Sequence, residues 1–327
     1  MHRVAGREVQ FGVALENFTP APAEPSIEGI LDYAARAEAL GFHSAWVWDH
    51  ILLGTRRPFP FLEALSVLAA LAVRTSRLRL GTGVCVLPLR NPVVLAKVLG
   101  SLDHLSKGRL VLGVAAGWYA REFEACGVPF DERGKIFVRN LDIVKRFWTE
   151  PQVEGAVDGF TFNGAVMRPR PVQRPRPPIL IGGYVDAVLR RVVRYSDGWL
   201  TYFYTPEGFR KAWARIHELA REGGRDPAEL RNVSQLPICI ARTFEEADRG
   251  IREFIGRYFD VAPWSESTPD SAIRGTPDQC AEQLARHIQA GVEHIVFVPA
   301  NYSTSQLDLI AREVIPRLRG MTAGATA

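Results

Sequence analysis

Short apolar runs alternate along the whole chain with segments whose apolar residues recur every three to four positions. That alternation is the mark of parallel βα units. Val9–Leu15 reads as the first strand. Ser26 can cap the next helix, in which Ile30, Leu31, Ala34, Ala37 and Leu40 recur at helical spacing before Gly41 ends it. Ser44–Trp48 is a second strand. Helix Pro60–Arg74, strand Leu78–Val84, helix Pro92–Leu105, strand Leu110–Ala115 and helix Glu132–Trp148 follow.

Residues 151–178 break this rhythm with nine prolines and glycines and predict an insertion holding a short hairpin. The pattern resumes with strand Ile179–Ile181, helix Val185–Tyr195, strand Gly198–Thr201, helix Pro206–Gly223, strand Val233–Ala241 and helix Phe244–Tyr258. Helix Pro277–Ala290, strand His294–Val298 and helix Ser305–Leu318 complete it. Eight strands with intervening helices close most simply into an α/β (β/α)8 TIM barrel, here with an insertion between strands four and five. An open doubly wound sheet is the alternative. The chain reads as a single domain over residues 1–319, followed by a Gly/Ala/Thr-rich tail, Gly320–Ala327, expected to fray.

Composition narrows the class. At 327 residues, 47% hydrophobic and 23% charged, the chain is globular, neither disordered nor coiled coil. The net charge is +4, and all but five of the 40 basic residues are Arg, a side chain suited to bidentate anion contacts. These bases are interspersed with acids and form no basic stripe, so an acidic or phosphorylated small ligand fits better than nucleic acid. Cys85, Cys126, Cys239 and Cys280 lie far apart without metal-ligand spacing, and no metal is expected. Neither a signal-like apolar segment nor a run of about 18 apolar residues occurs, so no membrane is expected and the reading is a cytoplasmic protein.

In a barrel the informative residues follow the strands. After strand two comes Trp46-Val47-Trp48-Asp49-His50, where an acid beside an imidazole can fix a tautomer and handle a proton; the plainer alternative is a capping Asp beside a structural His. After strand three, Gly81-Thr82-Gly83-Val84-Cys85 suggests either close approach of backbone to a ligand or barrel curvature. After strand four, Gly117-Trp118-Tyr119 brings two aromatic rings to the mouth, for stacking or for packing. After strand five, Gly182-Gly183-Tyr184 leads into a helix start, either an anion site or a tight turn.

Together these blocks resemble the bacterial luciferase-like superfamily, whose members bind reduced flavin mononucleotide (FMN) or the deazaflavin coenzyme F420. The match runs through AEALGFHSAWVWDH, RLRLGTGVCVLPLRNPVVLAK, LDHLSKGRLVLGVAAGW, FEACGVPFDERG, PRPVQRPRPPILIGG and SDGW, in order and at compatible spacing. The resemblance implies a (β/α)8 barrel, a homodimer packed through early helices and a non-prolyl cis peptide at Gly83–Val84 beneath the cofactor ring. It assigns His50 and Asp49 as the catalytic pair near that ring, with Asp49 also touching the cofactor. Gly83, Val84, Cys85, Gly117 and Trp118 line the ring site, and Gly182, Gly183 and Tyr184 hold the phosphate. Arg190 and Arg191 are further phosphate or acidic-tail candidates, and Ser196-Asp197-Gly198-Trp199 is structural. The chain departs from the pattern at Trp118, where sugar-phosphate dehydrogenases resembling it carry an acid, and at Asn140, where many relatives have an acid.

Three functions are consistent with this sequence. The first is an oxidoreductase moving a hydride between F420 and a small organic substrate. The second is a reduced-FMN monooxygenase supplied by a separate cofactor reductase. The third is a barrel that binds flavin without turnover. Mouth loops Leu53–Pro60 and Pro263–Gly275 are expected to shape the substrate pocket.

Overall fold

The computed structural model describes residues 3–4, 7–54, 58–259 and 269–318; the expected tail, the loop residues 55–57 and residues 263–268 of the Pro263–Gly275 loop lie outside them. Eight parallel strands form the frame: β1 (Gln10–Ala14), β2 (Ser44–Val47), β3 (Arg79–Thr82), β4 (Leu110–Ala115), β5 (Ile179–Gly182), β6 (Gly198–Tyr202), β7 (Arg231–Ile240) and β8 (His294–Pro299). Each pairs with the next, Ile179 of β5 opposite Leu112 of β4, and β8 returns to β1 with His294 opposite Gln10. The sheet therefore closes into a barrel.

The strands read as continuous apolar runs because both faces are buried. Ala45 and Val47 face the helical layer, while Trp46 joins Val111, Leu180, Leu200 and Val296 in a second cluster. Trp46 is the plug of that cluster, and it fits only because Gly81 has no side chain: a Cβ there would fall 2.3 Å from the indole. One of the two strand-three glycines thus serves packing.

Helices α1 (Ile27–Ala39), α2 (Ala64–Arg74), α3 (Pro92–Leu105), α4 (Ala120–Ala125), α5 (Arg133–Thr149), α6 (Asp186–Tyr195), α7 (Pro206–Glu222), α8 (Phe244–Tyr258), α9 (Pro277–Gln289) and α10 (Thr304–Leu309) surround the strands. Their starts follow their caps. Ser26 Oγ accepts from Gly29 N at 3.1 Å, and Thr276 with Gln279 forms a capping box at α9. Three elements depart from expectation. Helix α2 starts at Ala64 rather than Pro60, because the Glu63 carboxylate accepts from Ser66 N at 2.7 Å and Leu62 N is tied back to Asn17 O. The last helix passes into a π-helical turn, Ile310–Val314. The six-residue α4 is additional. The insertion does hold a hairpin, Val153–Val157 antiparallel to Phe160–Ala165, between β4 and β5. No helix among the described residues is long and apolar enough to cross a membrane.

Candidate active site

The loops at the C-terminal ends of the strands enclose a cavity of about 630 Å³, within the range of about 300–1,000 Å³ usual for small-molecule sites. Asp49, His50, Gly83, Val84, Gly117 and Trp118 line it, and so do Gly182, Gly183 and Tyr184 across the mouth. Cys85 does not. Its side chain is fully buried in the layer between strands and helices, and that burial pushes its thiol well up, so it offers no group to a ligand.

Asp49 and His50 are adjacent in sequence but have different partners. Both Asp49 oxygens meet the Arg90 guanidinium at 2.7 Å, and Oδ2 also accepts from Val86 N at 2.9 Å. Arg90 in turn reaches Glu63 at 3.0 Å. Asn140 donates to the carbonyls of Leu87 and Arg90, both at 3.1 Å, which gives that position a structural role: it ties α5 to the turn that carries Arg90. Asp49 thus clamps the segment after β3, and its bonds go to Arg90 and Val86 rather than to the neighbouring imidazole.

Another acid does that. Glu122, 1% exposed on α4, holds His50 Nδ1 at 3.1 Å through Oε2, while its Oε1 accepts from the backbone N–H groups of Ile51 and Leu52. A carboxylate in this role only accepts, so Nδ1 carries the proton and Nε2 is the nitrogen left for chemistry. The expectation that Asp49 fixes the tautomer is corrected accordingly. Local sequence explains how Glu122 arrives there. Gly117 turns the chain at φ +84°, a position where a Cβ would strike Phe123, and Phe123 then packs edge-on against Phe130 at 5.2 Å. Sequence reading considered only the position after Gly117; the available signal was a Glu-Phe pair four residues beyond Trp118.

The Gly83–Val84 peptide is cis. Gln235, fully buried on β7, bears on it: Nε2 donates to Gly83 O at 3.4 Å, and a Cβ on Gly83 would fall 2.6 Å from that nitrogen. Gln235 Oε1 has no hydrogen-bond partner among the described residues. Here the glycine does permit a close approach of backbone to side chain.

Across the mouth, Gly183 has φ +138° and an added Cβ would lie 3.1 Å from Val188. Trp199 Nε1 donates to Gly183 O at 2.9 Å, so the Tyr184 N–H of the same trans peptide points the opposite way. The start of α6 has no side-chain cap. Its first-turn acid, Asp186, is engaged by Arg190 at 2.8 Å and Arg215 at 3.2 Å. Arg190 is therefore committed outside the cavity. Arg191 lines the cavity, lies against Gly134 at the start of α5, and has no ion-pair partner among the described residues. Arg133 lines the same rim, its guanidinium 3.9 Å above the Phe130 ring. The glycine-led start of α6, with its positive helix end, and two guanidinium groups line this side of the cavity as a cradle, with Asp131 beside them. Ser196-Asp197 is structural: Asp197 pairs with Arg176 and accepts from Ile179 N at 2.7 Å.

The barrel agrees with what the comparisons give. The model of the luciferase-like monooxygenase family matches residues 9–294, and the chain belongs to that family of oxidoreductases. It is 25% identical to an F420-dependent glucose-6-phosphate dehydrogenase of Amycolatopsis mediterranei, over 96% of this chain and 99% of that one. It is 26% identical to an FMNH(2)-dependent dimethylsulfone monooxygenase of Pseudomonas putida, over 79% and 78%. Among solved structures it is similar to the monooxygenase RslO1 from Streptomyces bottropensis, with TM-score 0.81, 25% identity and 94% and 99% coverage.

Proposed function

We propose that the protein is an oxidoreductase that uses coenzyme F420 to transfer a hydride to or from a small organic substrate. The observation that carries this reading is the uncapped, glycine-led start of α6, with Arg191 beside it, opening into the same cavity as the His50–Glu122 pair. The cradle fits a phosphate, and the backbone around Gly83 and Val84 offers a wall without polar side chains for a flat ring system. Gly182, Gly183 and Tyr184 would hold the phosphate, Arg191 and Arg133 the acidic groups beyond it, and Gly83, Val84, Gly117 and Trp118 the ring. When bound, the deazaflavin supplies the hydride chemistry.

The chain's own contribution is orientation and proton handling. Glu122 keeps a proton of His50 on Nδ1, so Nε2 gives a proton to, or takes one from, the substrate oxygen. Arg90 and Asp49 hold the segment after β3 in place beneath the substrate. Trp48, Trp118 and Phe61 exclude water from the reacting region.

The likeness to the FMNH(2)-dependent enzyme favours a second reading, a monooxygenase using reduced FMN and oxygen at the same site. Fluorescence titration with F420 and FMN separates the two. The proposed function predicts tighter F420 binding and no oxygen uptake with reduced F420; tighter FMN binding with oxygen uptake on addition of reduced FMN would transfer the assignment to the monooxygenase. Failure of both cofactors to bind would leave a barrel with neither activity.

A further inference from the structure

The cavity wall is electrostatically divided. In a closed cycle of eight strands, β1 stands opposite β5 and β2 opposite β6. Both described cationic groups of the wall, Arg133 and Arg191, belong to the elements that flank β5. The segments after β1 and β2 and the end of α8 present rings instead. Phe18 stacks on Phe61 at 4.6 Å and meets Trp48 at 5.9 Å and Tyr258 at 5.6 Å. Trp48 continues the surface to Tyr202 at 5.6 Å, and His50 lies between Phe61 at 5.5 Å and Trp118 at 5.8 Å. Asp49 is the one carboxylate on this side among the described lining residues, and Arg90 neutralises it.

We infer that the substrate is a neutral, ring-bearing organic molecule with one carbonyl or hydroxyl oxygen directed at His50, and not a sugar phosphate. This rests on the functional reading above and deepens it. A wall of rings gains from burying apolar and aromatic surface. A phosphate set against it would lose its hydration without a cation or a fan of N–H groups to replace it. The cations that could receive a phosphate are already those assigned to the cofactor's own acidic groups. His50 lines this aromatic surface, and its Nε2 is the group that meets the ligand oxygen there.

The test is equilibrium binding, by calorimetry, of two probes: α-tetralone, a neutral bicyclic ketone, and glucose 6-phosphate. Each is titrated into the full-length protein alone and into protein saturated with F420 or with FMN. α-Tetralone is expected to bind in every sample, and glucose 6-phosphate to bind at least about 100-fold more weakly. Phe61→Asp and, at a second position of the same wall, Leu53→Asp are each expected to weaken α-tetralone about tenfold or more while leaving cofactor affinity within about twofold. Glucose 6-phosphate binding as tightly as the ketone to cofactor-saturated protein would overturn the inference. So would ketone binding indifferent to both substitutions. Because the ketone is also titrated without cofactor, failure of either cofactor to bind would count against the functional reading and leave the ketone result to decide the substrate class.

Discussion

Glu122 Oε2 lies 3.1 Å from His50 Nδ1, joining side chains 72 positions apart and leaving Nε2 as the imidazole nitrogen available to the cavity. The contact is more than proximity. The same carboxylate caps Ile51 N and Leu52 N, so one buried acid sets both the ring's tautomer and the path of the chain that follows it.

Glu122→Gln tests that dual role. The amide oxygen can keep the bonds to Ile51 and Leu52, but its NH2 group then donates to Nδ1 and moves the imidazole proton to Nε2. Turnover is expected to fall by about 100-fold, the usual size of a general acid–base contribution, with cofactor affinity unchanged and a shifted pH profile. An unaltered pH–rate profile would remove Glu122 from the proton path. His50→Ala should give a comparable loss of turnover at similar cofactor affinity.

Asp49→Ala affects stability first. Its side chain is 1% exposed and is bonded bidentately to Arg90, so the substitution leaves a largely buried guanidinium facing Glu63 alone. Removing one partner of such a pair costs about 3 kcal/mol, read as a lower urea midpoint at constant slope. An unchanged midpoint would mean that the pair is energetically idle.

Acid should loosen the fold through buried histidines. Burial lowers His287 from its ordinary value to about 4, and its Nδ1 has no partner among the described residues; burial likewise drives His294 well down. Between pH 6.5 and 4 the unfolded chain takes up a proton at His287 that the folded chain refuses, so stability falls as pH falls through that window and is fully present above it. The His287 contribution is about 2 kcal/mol between pH 7.5 and 5. Urea unfolding of His287→Leu should show a shallower loss over the same interval; an identical loss would assign the acid sensitivity to other groups.

Much of this fold was legible because the strands are buried on both faces and most helices begin at residues whose side chains can cap them. Asn91 and Pro92 mark the start of α3, and Leu110–Ala115 emerges with the expected bounds. The α2 start was misread because an apolar, proline-containing segment, Pro60–Leu62, looks like a first turn, whereas Asn17 holds it extended across the mouth. The site was legible residue by residue and obscure pair by pair. Asp49 and His50 share a dipeptide, yet their partners come from the turn after β3 and from α4. No spacing rule anticipates contacts made by barrel closure. Cys85 misled for the opposite reason: it adjoins the cis peptide in sequence, and its side chain points to the other face of the barrel wall.

The central claim is that a phosphate-bearing cofactor is gripped at Gly182-Gly183 in the cavity that His50 serves. The most direct measurement is fluorescence titration of wild type, Gly183→Val and Arg191→Ala with F420, FMN and phosphate-free riboflavin. A valine at Gly183 would require a residue at φ +138° with its Cβ crowding Val188, and would displace the N–H groups that face the anion. The account predicts that both substitutions weaken the phosphorylated cofactors by about tenfold or more, leave riboflavin within about twofold, and make binding less sensitive to added salt. Equal weakening of riboflavin and the phosphorylated cofactors, or no weakening of either, would contradict it.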